Sequence, residues 1–367
     1  MKQKNLIIFM PSIEGGGVEK NLFIISNFLG KKFKSSQLIT ASKSYNSRFK
    51  TLKVINPKFN VENYKSRRLK YFFCILELVK ILLKNKNYLV FAFQANLYCS
   101  IICKLFNIKV IVRSNSSPSG WALRYFRKKI FTYFLKIPDK IIVNSLEFKE
   151  EYKDKFKINT QCIYNPLNIK TIKKLSKEKI HNNFFKGFKD LKIIFIGRLV
   201  DQKDPLTLIR SLNVIKKKIK FRCLIIGRGV YLDNIKSFLI KNKMSKQIKL
   251  LNWQKNPFKY LNSSDVLVST SKYEGLPNVL LEAASLKRFI ISTNCKTGPK
   301  EILDNGKGGE LFKIGNYIQL SKKIIEYSRN KKKYEKKVRH AYKRLYRFDY
   351  NRNLNMYFKI VLKEINN

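Results

Sequence analysis

Residues Lys192–Leu212 read KIIFIGRLVDQKDPLTLIRSL, and this stretch decides the fold class. The run Lys192–Gly197 is largely apolar without strict alternation, which predicts a strand covered on both faces. A polar loop follows, and Pro205 then opens a helical pattern, as proline does in the first turn of a helix. A strand, a loop and a helix in this order are the repeating unit of a parallel sheet with helices on its faces.

The same alternation extends from this stretch in both directions along the chain. A helix is predicted over Val18–Leu29, because Val18, Leu22, Ile25 and Leu29 share one face. The other predicted strands are short, largely apolar runs between helical patterns: Leu6–Met10, Leu89–Phe93, Val110–Arg113, Lys140–Asn144, Phe221–Gly227, Gln247–Leu251, Asp265–Ser269 and Phe289–Thr293. The predicted fold class is therefore α/β with parallel sheets.

The strand and helix pattern restarts near the middle of the chain. Cys162–Asn168 reads CIYNPLN, a proline turn flanked by Asn, and a polar Lys- and Asn-rich stretch follows it. We place a linker over 165–189 and predict two domains, 1–168 and 169–344. A last helical pattern, about 345–367, is expected to pack back on the N-terminal domain.

The charge of the chain points first to nucleic acid or an anionic membrane. There are 77 Lys and Arg against 24 Asp and Glu, a net charge of +53. However, 61 of the basic residues are Lys and only 16 are Arg, whereas bidentate phosphate contacts favour Arg. Residues 1–168 carry 31 basic and 9 acidic side chains, and 169–367 carry 46 and 15, so the charge is spread evenly. Most of it is interpreted as compositional background, and no nucleic-acid partner is expected.

Other bulk features exclude several classes of protein. The six cysteines form no C-x-x-C pair, which indicates reduced structural thiols in a cytoplasmic protein. With two histidines far apart in the sequence, a histidine metal site or a Ser–His–Asp triad is poorly supported. The apolar stretch Leu89–Phe106 is interrupted by polar residues and predicts a strand and a helix rather than a membrane span. We expect no cofactor and no metal.

Two candidate anion sites follow predicted strands. Gly15–Gly17 lies between the first strand and the first helix, where backbone N–H groups can approach an anion, although a plain tight turn explains it equally well. Arg198 and Lys203 follow the strand that opens the second half, at the end of a sheet where ligands bind. A guanidinium and an ammonium suit a diphosphate, while the alternative is two solvated loop cations.

A third candidate site is the segment SKYEGLPNVLLEA, which starts at Ser271. Glu274 and Glu282 stand eight residues apart around a turn, in a chain with few carboxylates. Carboxylates accept hydrogen bonds from sugar or ribose hydroxyls. The backbone from Gly275 to Asn278 would lie at a helix N-terminus. Its N–H groups, which Gly275, Leu276 and Asn278 supply and Pro277 lacks, suit phosphate or sugar oxygens. The alternative is a helix-dipole role for Glu282 and a loop cap for Glu274.

One ligand would satisfy all three sites: a nucleotide diphosphate joined to a sugar, held between two α/β domains. No two Asp residues stand at i and i+2, so the D-x-D device for a metal–diphosphate complex is absent. Cationic side chains and helix N-termini would then neutralise the diphosphate instead of a metal ion.

Three quoted segments resemble the C-terminal domain of the family 4 glycosyltransferases, whose fold is GT-B. They are IGRLVDQKD, LLNWQKNPFKYLNSSDVLVSTSKYEGLPNVLLEA and ISTNCKTGPKEIL, and GGGVEKNL near the N-terminus resembles the glycine loop of the family. The clear match covers roughly a third of the chain. The resemblance implies two Rossmann-like domains facing across a cleft, and metal-independent, retaining transfer of a sugar from a nucleotide-sugar.

The resemblance also implies roles for individual residues. Arg198 and Lys203 would bind the diphosphate, Glu274 the sugar hydroxyls and Glu282 the ribose, with Glu274, Arg198 and Lys203 as the catalytic set. The remaining implied donor contacts are Gly16, Gly17, Asn252, Trp253, Gln254, Gly275, Leu276, Pro277 and Asn278. The implied partners are a nucleotide-sugar donor, most commonly a UDP-sugar, and a glycan or lipid-linked acceptor in polysaccharide, lipopolysaccharide or capsule biosynthesis.

One departure from the family concerns a histidine that many members carry after a strand such as Val110–Val112. The segment here contains Arg113 and Asn115 instead, which we assign to the acceptor and sugar side. No histidine occurs before His181, so an imidazole role in the N-terminal domain is excluded.

The segment Gly120–Ile137 predicts an amphipathic helix with aromatic and basic residues outside its apolar face. Such a helix suits an anionic membrane surface and predicts a cytoplasmic protein peripheral to the inner membrane, although packing on the sheet is the plainer reading. Two other functions stay open. Another GT-B enzyme, an epimerase or a phosphorylase, would turn over donor without an acceptor glycan, and a nucleic-acid-binding protein would rest on charge alone.

Overall fold

The computed structural model describes residues 5–14, 16–33, 35–64, 66–115, 132–181 and 183–366. The chain forms two compact units. Unit 1 consists of residues 1–166 and 350–367, and unit 2 consists of residues 167–349. The division therefore falls after Pro166, two residues before the predicted boundary, and the last segment returns to unit 1.

Unit 1 is built on a parallel sheet of seven strands in the order β3-β2-β1-β4-β5-β6-β7. Alternate residues of β1 enter opposite cores, with Ile7 in one apolar cluster and Leu6 in the other. A sheet buried on both faces needs continuous apolar strands, which is why these runs do not alternate. The strands are β1 Asn5–Phe9, β2 Ser36–Ile39, β3 Lys53–Ile55, β4 Tyr88–Ala92, β5 Val110–Ser114, β6 Lys140–Val143 and β7 Gln161–Cys162.

Helices cover both faces of the unit 1 sheet. The C-terminal helix packs against the first helix and buries Leu354, Tyr357 and Val361 in the core that β1 shares. Ser145 caps one helix by accepting a hydrogen bond from Phe148 N at 3.2 Å. The α-helices of this unit that lie wholly among the described residues are Gly17–Lys32, Arg67–Lys84, Asn96–Leu105, Leu146–Phe156 and Tyr350–Asn366.

Unit 2 is built on a parallel sheet of six strands in the order β10-β9-β8-β11-β12-β13. Ile193, Phe195 and Ile225 point into one extended apolar core between this sheet and its helices. The strands are β8 Leu191–Ile196, β9 Phe221–Ile226, β10 Ile248–Leu251, β11 Val266–Ser269, β12 Phe289–Thr293 and β13 Glu310–Phe312.

The first helix of unit 2 lies in the polar stretch that was predicted as a linker. Ile169–Ser176 packs against Phe258–Asn262 and buries Ile172, so the linker prediction was wrong for this segment. A short apolar stripe in a Lys-rich run was enough to anchor it. The described α-helices of unit 2 are Ile169–Ser176, Pro205–Ile215, Leu232–Lys241, Phe258–Asn262, Asn278–Ser285, Pro299–Ile302, Tyr317–Arg329 and Glu335–Lys343.

The nine predicted strands are all present, each within one residue at either end. Four strands were missed: β2, β3, β7 and β13. Each of them has two to four residues, too short for a pattern to stand out from its surroundings. The α/β class with two parallel sheets is confirmed.

Two further findings concern the cysteines and the membrane. None of the six cysteines, all of which the structure describes, forms a disulfide. Burial raises the pKa of Cys74 to about 12, so this thiol stays protonated at neutral pH. Within the described ranges, no helix has the length and apolarity needed to cross a bilayer. The predicted helix over 120–137 lies mostly outside the described residues, as does Gly15.

Candidate functional site

The order of strands in unit 2 marks where a ligand can enter. From β8, at the centre of the sheet, the chain continues to β9 on one side, and β11 lies on the other side. Such a reversal of strand order opens a crevice beyond the carboxyl ends of the two strands, the usual binding place in open α/β sheets. The loops that follow β8 and β11 border this crevice, and they contain most of the predicted residues.

The loop after β8 is held in a defined shape close to β9. Gly197 N donates to Ile226 O at 3.0 Å, and Leu199 N donates to Arg228 O at 2.8 Å. A Cβ on Gly227 would lie 1.9 Å from Gly197 O, so only glycine allows the two loops to approach this closely. The loop backbone is therefore fixed before any ligand arrives.

Arg198 and Lys203 both extend from this loop. Arg198 is exposed, and its Nη2 donates to Gln202 Oε1 at 2.8 Å. Lys203 ends a short 3-10 helix, after which Asp204 has φ of +42° and caps the helix Pro205–Ile215. The Asp204 carboxylate accepts hydrogen bonds from Thr207 N and Oγ1, at 3.2 and 2.6 Å. This cap sets the direction in which Lys203 leaves the loop.

Lys203 and Glu274 form an ion pair at the centre of the crevice. The Lys203 ammonium contacts Glu274 Oε1, and Ser271 Oγ donates to the same oxygen at 2.6 Å. The Lys203 side chain is 20% exposed and that of Glu274 only 7%, so the pair is partly withdrawn from water. The structure thus brings together a cation from one candidate site and a carboxylate from another, 71 residues apart.

Hydrogen bonds join the β8 and β11 loops beside this pair. Thr270 Oγ1 donates to Lys203 O at 2.8 Å, and Lys272 N donates to Gln202 O at the same distance. Gln202 Nε2 in turn donates to Tyr273 O at 3.1 Å. Two side-chain-to-backbone bonds and one backbone-to-backbone bond thus join the two loops into one wall of the crevice.

The turn after Glu274 leads directly into the helix Asn278–Ser285. Thr297 Oγ1 donates to Glu274 O, and Gly298, at φ +88°, lies against the turn. A Cβ on Gly298 would lie 2.3 Å from Gly275 O and 2.6 Å from Pro277 Cδ. The helix therefore begins at the carboxyl edge of the sheet with its N-terminal backbone beside Glu274, as the sequence predicted.

Glu282 and the segment Asn252–Gln254 also lie at this edge of unit 2. Glu282 is buried, 7% exposed, in the middle of the helix. Asn252–Gln254 directly follow β10, with Trp253 exposed and Gln254 Oε1 accepting a hydrogen bond from Tyr260 OH at 3.3 Å.

Cys295 lies behind the Glu274 carboxylate, after β12. Burial, and next the charge of Glu274, raises the pKa of its thiol to about 12. The thiol is therefore neutral at physiological pH and is not a nucleophile in this crevice. Among the described residues, no three His, Cys, Asp or Glu side chains are grouped to hold a metal ion.

In unit 1 the glycine loop occupies the equivalent place in its own sheet. The strand order reverses between β1 and β4, and Gly16 and Gly17 follow β1 and open the first helix. The loop is anchored by a hydrogen bond that Ser12 N donates to Gln94 Oε1 at 2.9 Å. Glu14 forms an ion pair with Arg67, which holds the outer side of the loop.

Arg113 does not have the exposed position that its assignment to the acceptor and sugar side requires. It is fully buried, with Nε donating to Tyr357 OH at 2.9 Å and Nη2 donating to Asn165 Oδ1 at 2.6 Å. Its Nη1 donates to Asn115 Oδ1, and Asn115 Nδ2 donates to Phe93 O at 3.0 Å. These hydrogen bonds connect separate segments within unit 1. The geometry therefore indicates a structural role for Arg113 and does not support its contact with an acceptor.

Sequence reasoning missed three polar residues that shape the unit 2 site. Ser271, Thr297 and Gln202 hold Glu274 and its loop, yet none was singled out. Ser271 stood within the quoted segment, three residues before Glu274, and a hydroxyl at that spacing could have been noticed. Thr297 could not, since only the packing of β12 beside β11 brings it near.

The profile of the family described as glycosyl transferases group 1 matches residues 176–344, all within unit 2. An uncharacterized glycosyltransferase of Methanocaldococcus jannaschii is 38% identical over 178 residues, 47% of this chain and 44% of that protein. The chain thus matches less than half the length of this relative.

Two other similarities extend over nearly the whole chain. A Campylobacter jejuni N-acetylgalactosamine-N,N'-diacetylbacillosaminyl-diphospho-undecaprenol 4-alpha-N-acetylgalactosaminyltransferase is 24% identical over 352 residues, covering 92% of this chain and 94% of that protein. The structure of Anabaena HepE in complex with UDP-glucose has a TM-score of 0.79 at 14% identity, covering 98% of this chain and all of that one. At this identity the structural match shows the fold.

Proposed function

We propose that this chain, which belongs to the GT-B glycosyltransferases of group 1, moves a sugar from a nucleotide-diphosphate sugar to a glycan or lipid-linked acceptor. The transfer retains the configuration of the sugar and needs no metal ion. One observation carries the proposal: the Lys203–Glu274 pair at the point where the strand order of unit 2 reverses. A cation for a diphosphate and a carboxylate for sugar hydroxyls stand there in contact.

Each donor group has a matching part of the unit 2 site. The diphosphate would lie against Arg198 and Lys203, with the N-terminal backbone of the helix Asn278–Ser285 supplying N–H groups. Glu274 would accept hydrogen bonds from the sugar hydroxyls and Glu282 from the ribose. Asn252–Gln254 would lie near the base, on the loop after β10.

These residues would act by positioning the donor and by stabilising the charge of the departing diphosphate. Negative charge grows on the diphosphate as the bond to the sugar breaks. Arg198, Lys203 and the helix dipole would stabilise that charge in the transition state more than in the bound donor. The absence of a D-x-D pair supports a reaction in which these groups take the place of a metal.

The relatives support a UDP-sugar donor and a lipid-linked acceptor. HepE has been captured with UDP-glucose, and the Campylobacter enzyme is named for a diphospho-undecaprenol substrate. We propose that this chain acts in the biosynthesis of a surface polysaccharide or glycoconjugate, in the cytoplasm at the inner membrane. The segment 120–137, with its aromatic and basic residues, would contact the anionic bilayer.

The test is a screen of nucleotide-sugars for thermal stabilisation of the full chain, followed by transfer assays with radiolabelled donor. A ligand that binds only the folded state raises its apparent stability. We expect a UDP-sugar to stabilise the wild type and Glu274→Ala to abolish transfer. Glu335→Ala, at an exposed carboxylate of the same unit, should leave transfer intact. If no nucleotide or nucleotide-sugar binds, the proposal is wrong, and turnover without an acceptor would indicate an epimerase or a phosphorylase.

A further inference from the structure

The two oxygens of the Glu274 carboxylate have different surroundings. Oε1 accepts from both the Lys203 ammonium and the Ser271 hydroxyl, the latter at 2.6 Å. Oε2 accepts no hydrogen bond within the part of the chain that the structure describes. One oxygen is thus held by the protein while the other is left for a ligand hydroxyl.

Ser271 itself is rigidly placed. It is the second residue after β11 and is 1% exposed, and its carbonyl accepts a hydrogen bond from Thr293 Oγ1 at 2.6 Å. Its neighbour Thr270 is bonded to the β8 loop. The backbone around Ser271 is therefore held from β12 and from the β8 loop, so its buried hydroxyl has little freedom to lose when it donates to a carboxylate.

The two donors on Oε1 would respond differently to a bound diphosphate. A diphosphate carries more negative charge than one carboxylate, so it would draw the Lys203 ammonium toward itself. Ser271 is neutral and buried, and it has no such competing attraction. After the ammonium turns to the diphosphate, the Ser271 hydroxyl would be the donor that still holds Oε1.

We infer that Ser271 is a positioning residue for sugar recognition: it keeps the Glu274 carboxylate oriented toward the sugar hydroxyls while Lys203 binds the diphosphate. The inference rests on the proposed function, because it takes Glu274 as the sugar contact. It makes Ser271 a determinant of how well a nucleotide-sugar binds relative to the nucleotide alone.

The experiment compares affinities of the full chain for UDP and for the UDP-sugar that stabilises the wild type most, both by calorimetry. Ser271→Ala should bind UDP as the wild type does and the UDP-sugar about tenfold more weakly, the loss expected for one hydrogen bond to a charged group. Ser271→Thr, which keeps the hydroxyl, should restore most of the difference. Ser264→Ala is the matched control, since Ser264 is buried before β11 and its hydroxyl donates to Leu261 O at 2.7 Å, away from Glu274.

Three outcomes decide the matter. A selective loss of UDP-sugar affinity in Ser271→Ala, rescued by threonine and absent in the control, supports the inference. An equal loss for UDP and UDP-sugar, or no loss in either, overturns it while leaving the proposed function standing. If the wild type binds neither ligand, the proposed function fails and the inference falls with it.

Discussion

The environment of Lys203 differs from that of a solvent-exposed lysine. Its side chain is 20% exposed, and its partner Glu274 is 7% exposed. Electrostatic attraction is stronger here than at a fully solvated surface, and removal of one charge leaves the other poorly solvated. In a chain with 77 basic residues, this is one whose neighbours distinguish it from background charge.

Replacing Lys203 by alanine should weaken the binding of UDP by about ten- to a hundredfold, because a charge-assisted bond to phosphate is lost. Titration calorimetry measures the change directly. Lys236→Ala is the control, since Lys236 also pairs with a carboxylate but is exposed and lies in another helix. Equal losses in both variants would show that general charge, not the site, attracts the nucleotide.

Gly298 is a second position at which a single added atom, a Cβ, would destabilise the protein. Gly298→Ala should lower the free energy of unfolding by about 3 kcal/mol, through an unfavourable positive φ and the clash with Gly275 O. Gly315→Ala shares the positive φ, +71°, but has no heavy atom within 4 Å of the new Cβ, so it should cost about 1 kcal/mol. Urea unfolding of both variants separates the cost of a positive φ from the cost of the clash. Equal losses in the free energy of unfolding would show that the clash with Gly275 O contributes nothing.

At the scale of elements, the helix Glu335–Lys343 holds the turn that follows Pro299–Ile302. Asp304, Asn305 and Gly306 have φ of +49°, +55° and +92°, an unfavourable run for non-glycine residues. His340 Nε2 lies 2.7 Å from Asp304 Oδ2, and Lys337 Nζ donates to Gly306 O at 2.9 Å. These bonds offset the strain and connect the turn to the end of unit 2.

The Asp304 bond should give the stability of the protein a defined pH dependence. The hydrogen bond with His340, aided by the Arg344 and Lys307 charges, lowers the pKa of Asp304 below its ordinary 3.8. The stabilisation is therefore fully present above that value and is lost as pH falls through the lowered pKa.

Urea unfolding of wild type and Asp304→Asn between about pH 2 and pH 7 tests this dependence. The difference in free energy of unfolding should shrink as the pH falls below the ordinary pKa of 3.8 and through the lowered pKa of Asp304. Asp233→Asn, at a carboxylate that is 90% exposed, should show no such change. A difference in free energy of unfolding that stays constant to the lowest pH would contradict a stabilising role for the ionised Asp304 carboxylate.

At the scale of the whole molecule, the chain crosses between its units twice. Residues 1–166 and 350–367 share one unit, so the last helix closes a core that the first strand began. Both units carry a large excess of basic residues, so the net charge of +53 belongs to neither alone. The whole surface is therefore attractive to anionic partners, and a specific contact has to be tested against that background.

Binding to anionic vesicles should exceed binding to neutral ones and should weaken as salt rises. Changing Arg124, Arg127, Lys128 and Lys129 together to glutamine should reduce that binding, as measured by vesicle sedimentation. The same number of changes at Lys331, Lys332, Lys333 and Lys336 is the matched control. Equal reductions would show that membrane attraction comes from overall charge rather than from the segment 120–137.

The sequence by itself determined the class of each unit and the order of its parts. Continuous apolar runs such as Leu191–Ile196 belong in buried parallel strands, and the loops after them necessarily share one edge of the sheet. That is why Arg198, Lys203 and Glu274 could be assigned to one edge from local patterns alone. The patterns that carry this information are local in the sequence: apolar periodicity, a proline at the start of a helix and the glycines of tight loops.

Tertiary structure alone decided which side chains meet. Arg113 looked like a polar group at a strand end, yet the C-terminal helix brings Tyr357 to it across 244 residues and buries it. Likewise, only the pairing of β8 with β11 brings Lys203 into contact with Glu274, 71 residues away. Burial and hydrogen-bond partners depend on chain segments far apart in sequence, so no local pattern contains them.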